Sequence, residues 1–217
     1  MLYRLDQIRF SYLKNQVVLD IPELEIATNK VTAIQGSNGA GKSTLLKLLA
    51  FLERPLQGSL RFCGKDVTTT ELLSSRRSVS LVPQKPYLLR GTVFENVLLG
   101  LKFRGIPMQT AKERVNQALT KTGIASFADK LATHLSGGEA QKAALARALA
   151  LQPKVLLLDE PFNHLDQASI ENLSRVITDF ASEDGCSVIF TTHDQLLAKM
   201  LANGVIHISS SGQVISG

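Results

Sequence analysis

Tryptophan is absent from this 217-residue chain, aromatic residues make up only 6% of it, and its two cysteines, Cys63 and Cys186, stand far apart. Such a pair makes neither a disulfide framework nor a metal-ligand spacing, so small buried or half-buried thiols are expected. Long apolar runs are missing too. Stretches such as Val155 to Leu158 are a few residues long, whereas a membrane-spanning helix needs about 20. The chain is therefore not expected to cross a membrane itself. Its N-terminus, MLYRLDQIRF, places Arg4, Asp6 and Arg9 where a signal peptide needs an unbroken apolar stretch, which makes the cytoplasm the expected compartment. Nor is there a Lys/Arg block. The 24 basic and 19 acidic residues leave a net charge of +5 spread along the chain, and charge alone names no partner. With 44% hydrophobic and 20% charged residues, what remains suits one folded domain, since a disordered chain is poorer in Leu, Ile, Val and Phe.

Short strands alternate with helical patterns, without internal repeats, which is the grammar of an α/β fold. Leu5, Ile8 and Phe10 mark a first strand, residues 17–21 and 24–26 two more, and residues 31–35 a buried strand entering a Gly-rich turn. Leu45, Leu46, Leu48 and Leu49 then predict a helix over 42–51. Strand signals fade between about Pro86 and Leu151, where 110–122 and 137–151 read as helices. They return at 155–158, 187–191 and 205–208, separated by helices over 167–182 and 194–201. The expected organisation is a single domain over 1–217, its core (about 1–85 and 152–217) interrupted by a helical subdomain (about 86–151).

Three motifs carry chemistry. Gly36-Ser37-Asn38-Gly39-Ala40-Gly41-Lys42-Ser43 matches G-x-x-x-x-G-K-[ST] after a predicted strand and at the start of a predicted helix, the context this motif requires. Glycines let successive N–H groups point inward at phosphate oxygens, and the helix N-terminus adds partial positive charge. Lys42 supplies a full charge to the β and γ phosphates, and Ser43 offers a hydroxyl to Mg²⁺, a hard cation that takes oxygen ligands. The apolar run Val155 to Leu158 ends in Asp159 and Glu160. Asp159 is placed to hold Mg²⁺ through its water shell, and Glu160 to accept a proton from an attacking water. Third, Leu135-Ser136-Gly137-Gly138-Glu139-Ala140-Gln141 opens a helix, with Ser136 and Glu139 spaced as a capping box.

That last stretch resembles the signature motif of the ATP-binding cassette (ABC) family, and the resemblance extends over essentially the whole chain. It implies a P-loop NTPase core of mixed sheet and flanking helices, an N-terminal antiparallel β part, and an inserted α-helical subdomain. It implies ATP binding by residues 36–44, Thr44 included, and adenine stacking on Tyr12, with Phe10 as the competing aromatic. Gln84 matches the glutamine that reaches Mg²⁺ and the attacking water, and His193 the histidine that contacts the γ-phosphate. In the family, Ser136, Gly137, Gly138 and Glu139 face the γ-phosphate held by another copy, so the catalytic unit is expected to be a dimer. Asn163-His164-Leu165-Asp166 stands where the interface-crossing loop does. Asp166 carries over. His164 departs from the usual pattern and receives no role.

The resemblance implies Mg²⁺-dependent ATP hydrolysis by a peripheral subunit on the cytoplasmic face of the inner membrane, driving separate permease subunits, with a substrate-binding protein as a further partner and no nucleic acid. A soluble cassette ATPase of DNA repair or translation is the alternative, but such relatives carry two cassettes or a long coiled-coil insertion. A regulatory module that never hydrolyses predicts damage at Glu160 or His193, and both are intact. The segment 88–97, with Gly100-Leu101-Lys102 and Arg104-Gly105 after it, is similar to ATPase subunits of bacterial oxyanion importers, tungstate and molybdate in particular. With 24 residues after His193, no C-terminal regulatory β-domain is expected. A partner helix is expected to dock near residues 84–96.

Overall fold

A computed structural model describes residues 1–13, 16–163, 165–182 and 185–216; His164 lies outside them. Two sheets organise the chain. The first is antiparallel, in the order β2-β1-β4-β5, built from β1 (Tyr3–Phe10), β2 (Leu19–Ile26), β4 (Gln57–Phe62) and β5 (Lys65–Asp66). The sequence predicts two strands on either side of Pro22, yet β2 runs through it. Proline has no N–H to give a ladder and survives best at a sheet edge, which is where β2 lies. Opposite Pro22 the register skips from Asp6↔Glu23 to Ile8↔Ile21, and Gln7 takes a φ of 50°.

The second sheet has the order β10-β9-β3-β8-β7-β6, from β3 (Val31–Gly36), β6 (Val79–Val82), β7 (Val155–Leu158), β8 (Ser187–Thr192), β9 (Gly204–Ile208) and β10 (Val214–Ser216). All pairings are parallel except that of edge strand β10. A parallel sheet is buried on both faces, which explains why its strands read as unbroken apolar runs. Along β7 the side chains alternate: Leu156 and Leu158 join one hydrophobic core with the helical side, Val155 and Leu157 the other with the antiparallel sheet.

Helices α1 (Lys42–Leu49), α2 (Leu72–Arg77), α3 (Val93–Phe103), α4 (Met108–Lys121), α5 (Gly137–Ala150), α6 (Gln167–Ser182) and α7 (Gln195–Leu201) complete the fold. Among the described residues no helix is long and apolar enough to span a membrane. Helix α3 is absent from the sequence expectations, although Thr92 and Glu95 form a full capping box at its start. Cys186 is buried as expected, but Cys63 is exposed, in the turn between β4 and β5 at φ 50°.

Candidate active site

The phosphate-binding motif lies between the end of β3 and the first turn of α1. Gly41 adopts φ +101°, and a Cβ there would meet Leu19 Cδ2 at 2.8 Å, so both conformation and space demand glycine. Gly36 is confined by the Ile208 carbonyl, 2.6 Å from where a Cβ would stand. Leu45, Leu46, Leu48 and Leu49 of α1 are all buried, each worth about 1.5–3 kcal/mol, which pins the loop to the sheet. No side chain caps α1 and no acid sits in its first turn. Its leading N–H groups are thereby left for an external anion. Lys42 is 5% exposed. Its ammonium donates to the carbonyls of Gly36 (3.0 Å) and Ser37 (3.1 Å) and pairs with Glu160 Oε1 at 3.4 Å.

The two acids diverge at the end of β7. The Asp159 N–H completes the last rung with the Val82 carbonyl (2.9 Å), and its Oδ1 accepts from the Thr191 hydroxyl (2.8 Å). Glu160 takes a left-handed backbone at φ 46°, a conformation that costs a non-glycine residue roughly 1–3 kcal/mol unless its surroundings enforce it. Its N–H donates to the same Thr191 oxygen (2.7 Å). Neighbouring carboxylates thus leave one backbone turn in different directions. Glu160 Oε2 accepts from Gln84 Nε2 (3.1 Å) and from Asn163 Nδ2.

Strand order explains why these residues meet. In the parallel array β3-β8-β7-β6, the carboxyl ends carry the phosphate loop, His193, the acid pair and Gln84 in turn, where open α/β sheets bind ligands. Together they line a cavity of about 640 Å³, with Lys42, Ser43, Thr44, Gln84, Glu160 and His193 on its wall. Asp159 is not part of that wall. Among the described residues no three His, Cys, Asp or Glu side chains gather as a metal site. Ser43 and Gln84 line the same cavity, and Gln84 spends its nitrogen on Glu160, which leaves its oxygen available to a ligand. With Asp159 one step behind, this all-oxygen set fits Mg²⁺ holding several waters. Tyr12 is half exposed beside the first turn of α1, its hydroxyl 3.4 Å from Thr44 Oγ1 and its ring 5.6 Å from Lys47 Nζ. Phe10, the competing aromatic, is buried and packs edge-on against Tyr12 at 4.9 Å.

Other predicted residues stand apart. Ser136, Gly137, Gly138 and Glu139 do not line the cavity. Ser136 caps α5, with Glu139 N–H donating to its hydroxyl (3.3 Å) and its own N–H to Glu139 Oε2 (2.8 Å). That backbone bond, with Lys130 at 3.0 Å, holds the Glu139 carboxyl below the usual range. A Cβ on Gly137 or Gly138 would meet nothing within 4 Å, so the helix N-terminus is open. Asp166 accepts from the Ser169 N–H (2.7 Å) at the start of α6, and hydrogen bonding from the Ser169 side chain and backbone lowers its pKa. Two contacts at the site escape the sequence expectations: that of Thr191, which ties Asp159 to Glu160, and that of Asn163, expected only as part of the interface-crossing loop, with Glu160. These bonds reach across 32 and three positions respectively. The polar Thr191 ending an apolar strand is the one signal that could have found the first.

Residues 19–163 match the family model described as ABC transporter. A tungstate uptake system ATP-binding protein of Peptoclostridium acidaminophilum is 35% identical, with 94% of this chain and 95% of that protein covered. A sulfate/thiosulfate import ATP-binding protein of Shewanella oneidensis is 40% identical over 92% of this chain, which spans 57% of that protein. Among solved structures, a dimeric ATP-binding cassette in a post-hydrolysis state with ADP and Pi superimposes with a TM-score of 0.90 at 28% identity, covering 99% of this chain and 97% of that one. A cassette of Clostridium perfringens, part of an ABC transporter complex, gives a TM-score of 0.89 at 29% identity, covering 100% of this chain and 88% of that one.

Proposed function

The chain belongs to the ABC transporter family, and on that premise we propose that it is the ATP-hydrolysing subunit of an importer, working as a dimer around two ATP and driving separate membrane-spanning subunits. An oxyanion is the cargo we favour, supported by the tungstate and sulfate/thiosulfate relatives. The working position on this reading is the cytoplasmic face of the membrane. The organisation is that of one cassette whose helical insertion carries Ser136.

One observation carries the proposal: Lys42, Gln84, Glu160 and His193 converge on one cavity, while the open helix end at Ser136 to Gly138 does not reach it. A triphosphate seated in that cavity would have one face covered by this chain, and a second copy's α5 offers the missing donors. The loop N–H groups and Lys42 hold the β and γ phosphates, and Tyr12 stacks on the adenine. Glu160 accepts the proton of the attacking water while Gln84 and His193 orient it, so positioning and charge neutralisation lower the barrier. Ser43, Gln84 and Asp159 would hold Mg²⁺, which neutralises phosphate charge when bound. Asp166 lies at the copy-to-copy contact.

Glu160→Gln tests this. The amide keeps size and hydrogen bonding but cannot accept a proton, so hydrolysis is expected to fall about a hundredfold to ten-thousandfold, with ATP still bound and the variant eluting as a dimer with Mg²⁺ and ATP but not with ADP. Parental ATPase activity in the variant would require another base.

A further inference from the structure

We propose that Asn163 is a positioning residue for Glu160, holding its carboxylate over the phosphate loop through a side-chain amide donor. The proposal rests on the reading of Glu160 as the base. Both carboxylate oxygens are engaged: Oε1 by Lys42 at 3.4 Å, and Oε2 by two amide donors, Gln84 Nε2 at 3.1 Å and Asn163 Nδ2. These donors come from opposite sides, Gln84 from the end of β6 and Asn163 from the turn after β7 that its own N–H closes onto the Glu160 carbonyl (3.3 Å). Hydrogen bonds to a charged group are roughly twice as strong as neutral ones. With the Glu160 side chain 14% exposed, little water is available to replace a lost donor. The backbone of Glu160 is already fixed by Thr191, so Asn163 and Gln84 govern the one freedom left, the direction of the side chain. Gln84 also offers an oxygen to the cation, so Asn163 is the donor that can be removed with the proposed cation ligands left in place.

A second consequence follows from Lys42. Its ammonium has three oxygen partners here, and phosphates entering the loop draw on the same charge. The carboxylate must then let go of Lys42 without swinging away from the water it serves. A donor on Oε2, the oxygen away from Lys42, keeps it in place through that exchange.

The experiment compares Asn163→Ala, Asn163→Asp and Glu160→Gln in the full chain by ATPase kinetics, with folding checked by thermal melting. Loss of the donor is expected to lower kcat about tenfold in Asn163→Ala with KM little changed, the pattern of an interaction needed in the transition state. Asn163→Asp keeps the volume but sets a carboxylate against Glu160, so its kcat is expected to fall further. A space-filling role gives the reverse order, Asp being the nearer isostere, and that order overturns the proposal. So does parental kcat in both variants. If Asn163→Ala does not fold, Asn163→Asp alone decides, since parental kcat there removes any need for the donor. Should Glu160→Gln retain parental activity, it is the base assignment that fails, and the two failures are thereby distinguished.

Discussion

Lys42 is held by two carbonyl oxygens of its own loop and by the Glu160 carboxylate, and this makes it more than a charge awaiting a ligand. Removing the ammonium leaves the carbonyls of Gly36 and Ser37 and the Glu160 carboxylate without their shared donor, although α1 stays anchored by its leucines. Lys42→Ala is therefore expected to fold yet lose ATP affinity by tenfold or more, the scale of a charge-assisted contact worth about 1.5–3 kcal/mol. Equilibrium titration checks it, and parental affinity in the folded variant would remove Lys42 from the phosphate site. At this scale the loop was fully legible, because G-x-x-x-x-G-K-[ST] is contiguous and its geometry is local. The surroundings of Glu160 were not. Thr191 and Asn163 are ordinary residues in the sequence, and only the parallel pairing of β7 with β8 brings the Thr191 hydroxyl between the two acids.

Among the elements, α3 shows how a local signal is masked. Thr92 and Glu95 are spaced as a capping box, but the segment before them carries Pro86 and Gly91, and the apolar positions of α3 include three in direct succession, Val97 to Leu99. The cap is reinforced by Asn96, whose side chain accepts from the Leu89 N–H (2.7 Å) and donates to the carbonyls of Leu89 (3.0 Å) and Thr92 (2.9 Å). Thr92→Ala removes the box and is expected to cost about 1 kcal/mol, seen as a lower melting temperature with the KM for ATP unchanged, because nothing of α3 lines the cavity. A raised KM would tie α3 to the nucleotide directly. Strand β2 teaches the opposite lesson: Pro22 is a sound breaker by itself, and only its place at a sheet edge let pairing continue.

For the whole molecule, we propose the segment after Gln84 as the route from the site to a membrane partner. Tyr87 and Leu89 are 75% and 41% exposed, and Arg147 of α5 donates to the Tyr87 carbonyl at 2.9 Å, which ties this exposed segment to the helical side. A single cysteine at Leu89 is expected to crosslink to a membrane-spanning subunit in the assembled complex, whereas crosslinks only from the 205–216 side would move the docking surface elsewhere. Val93, fully buried, is no place for such a probe. The exposed thiol of Cys63 bears on all such work. It must be exchanged for serine before any introduced cysteine can report alone. Left in place, it offers a ready attachment point for a maleimide dye on the β4–β5 turn, outside the cavity wall, and the absence of tryptophan leaves that dye's signal free of indole background.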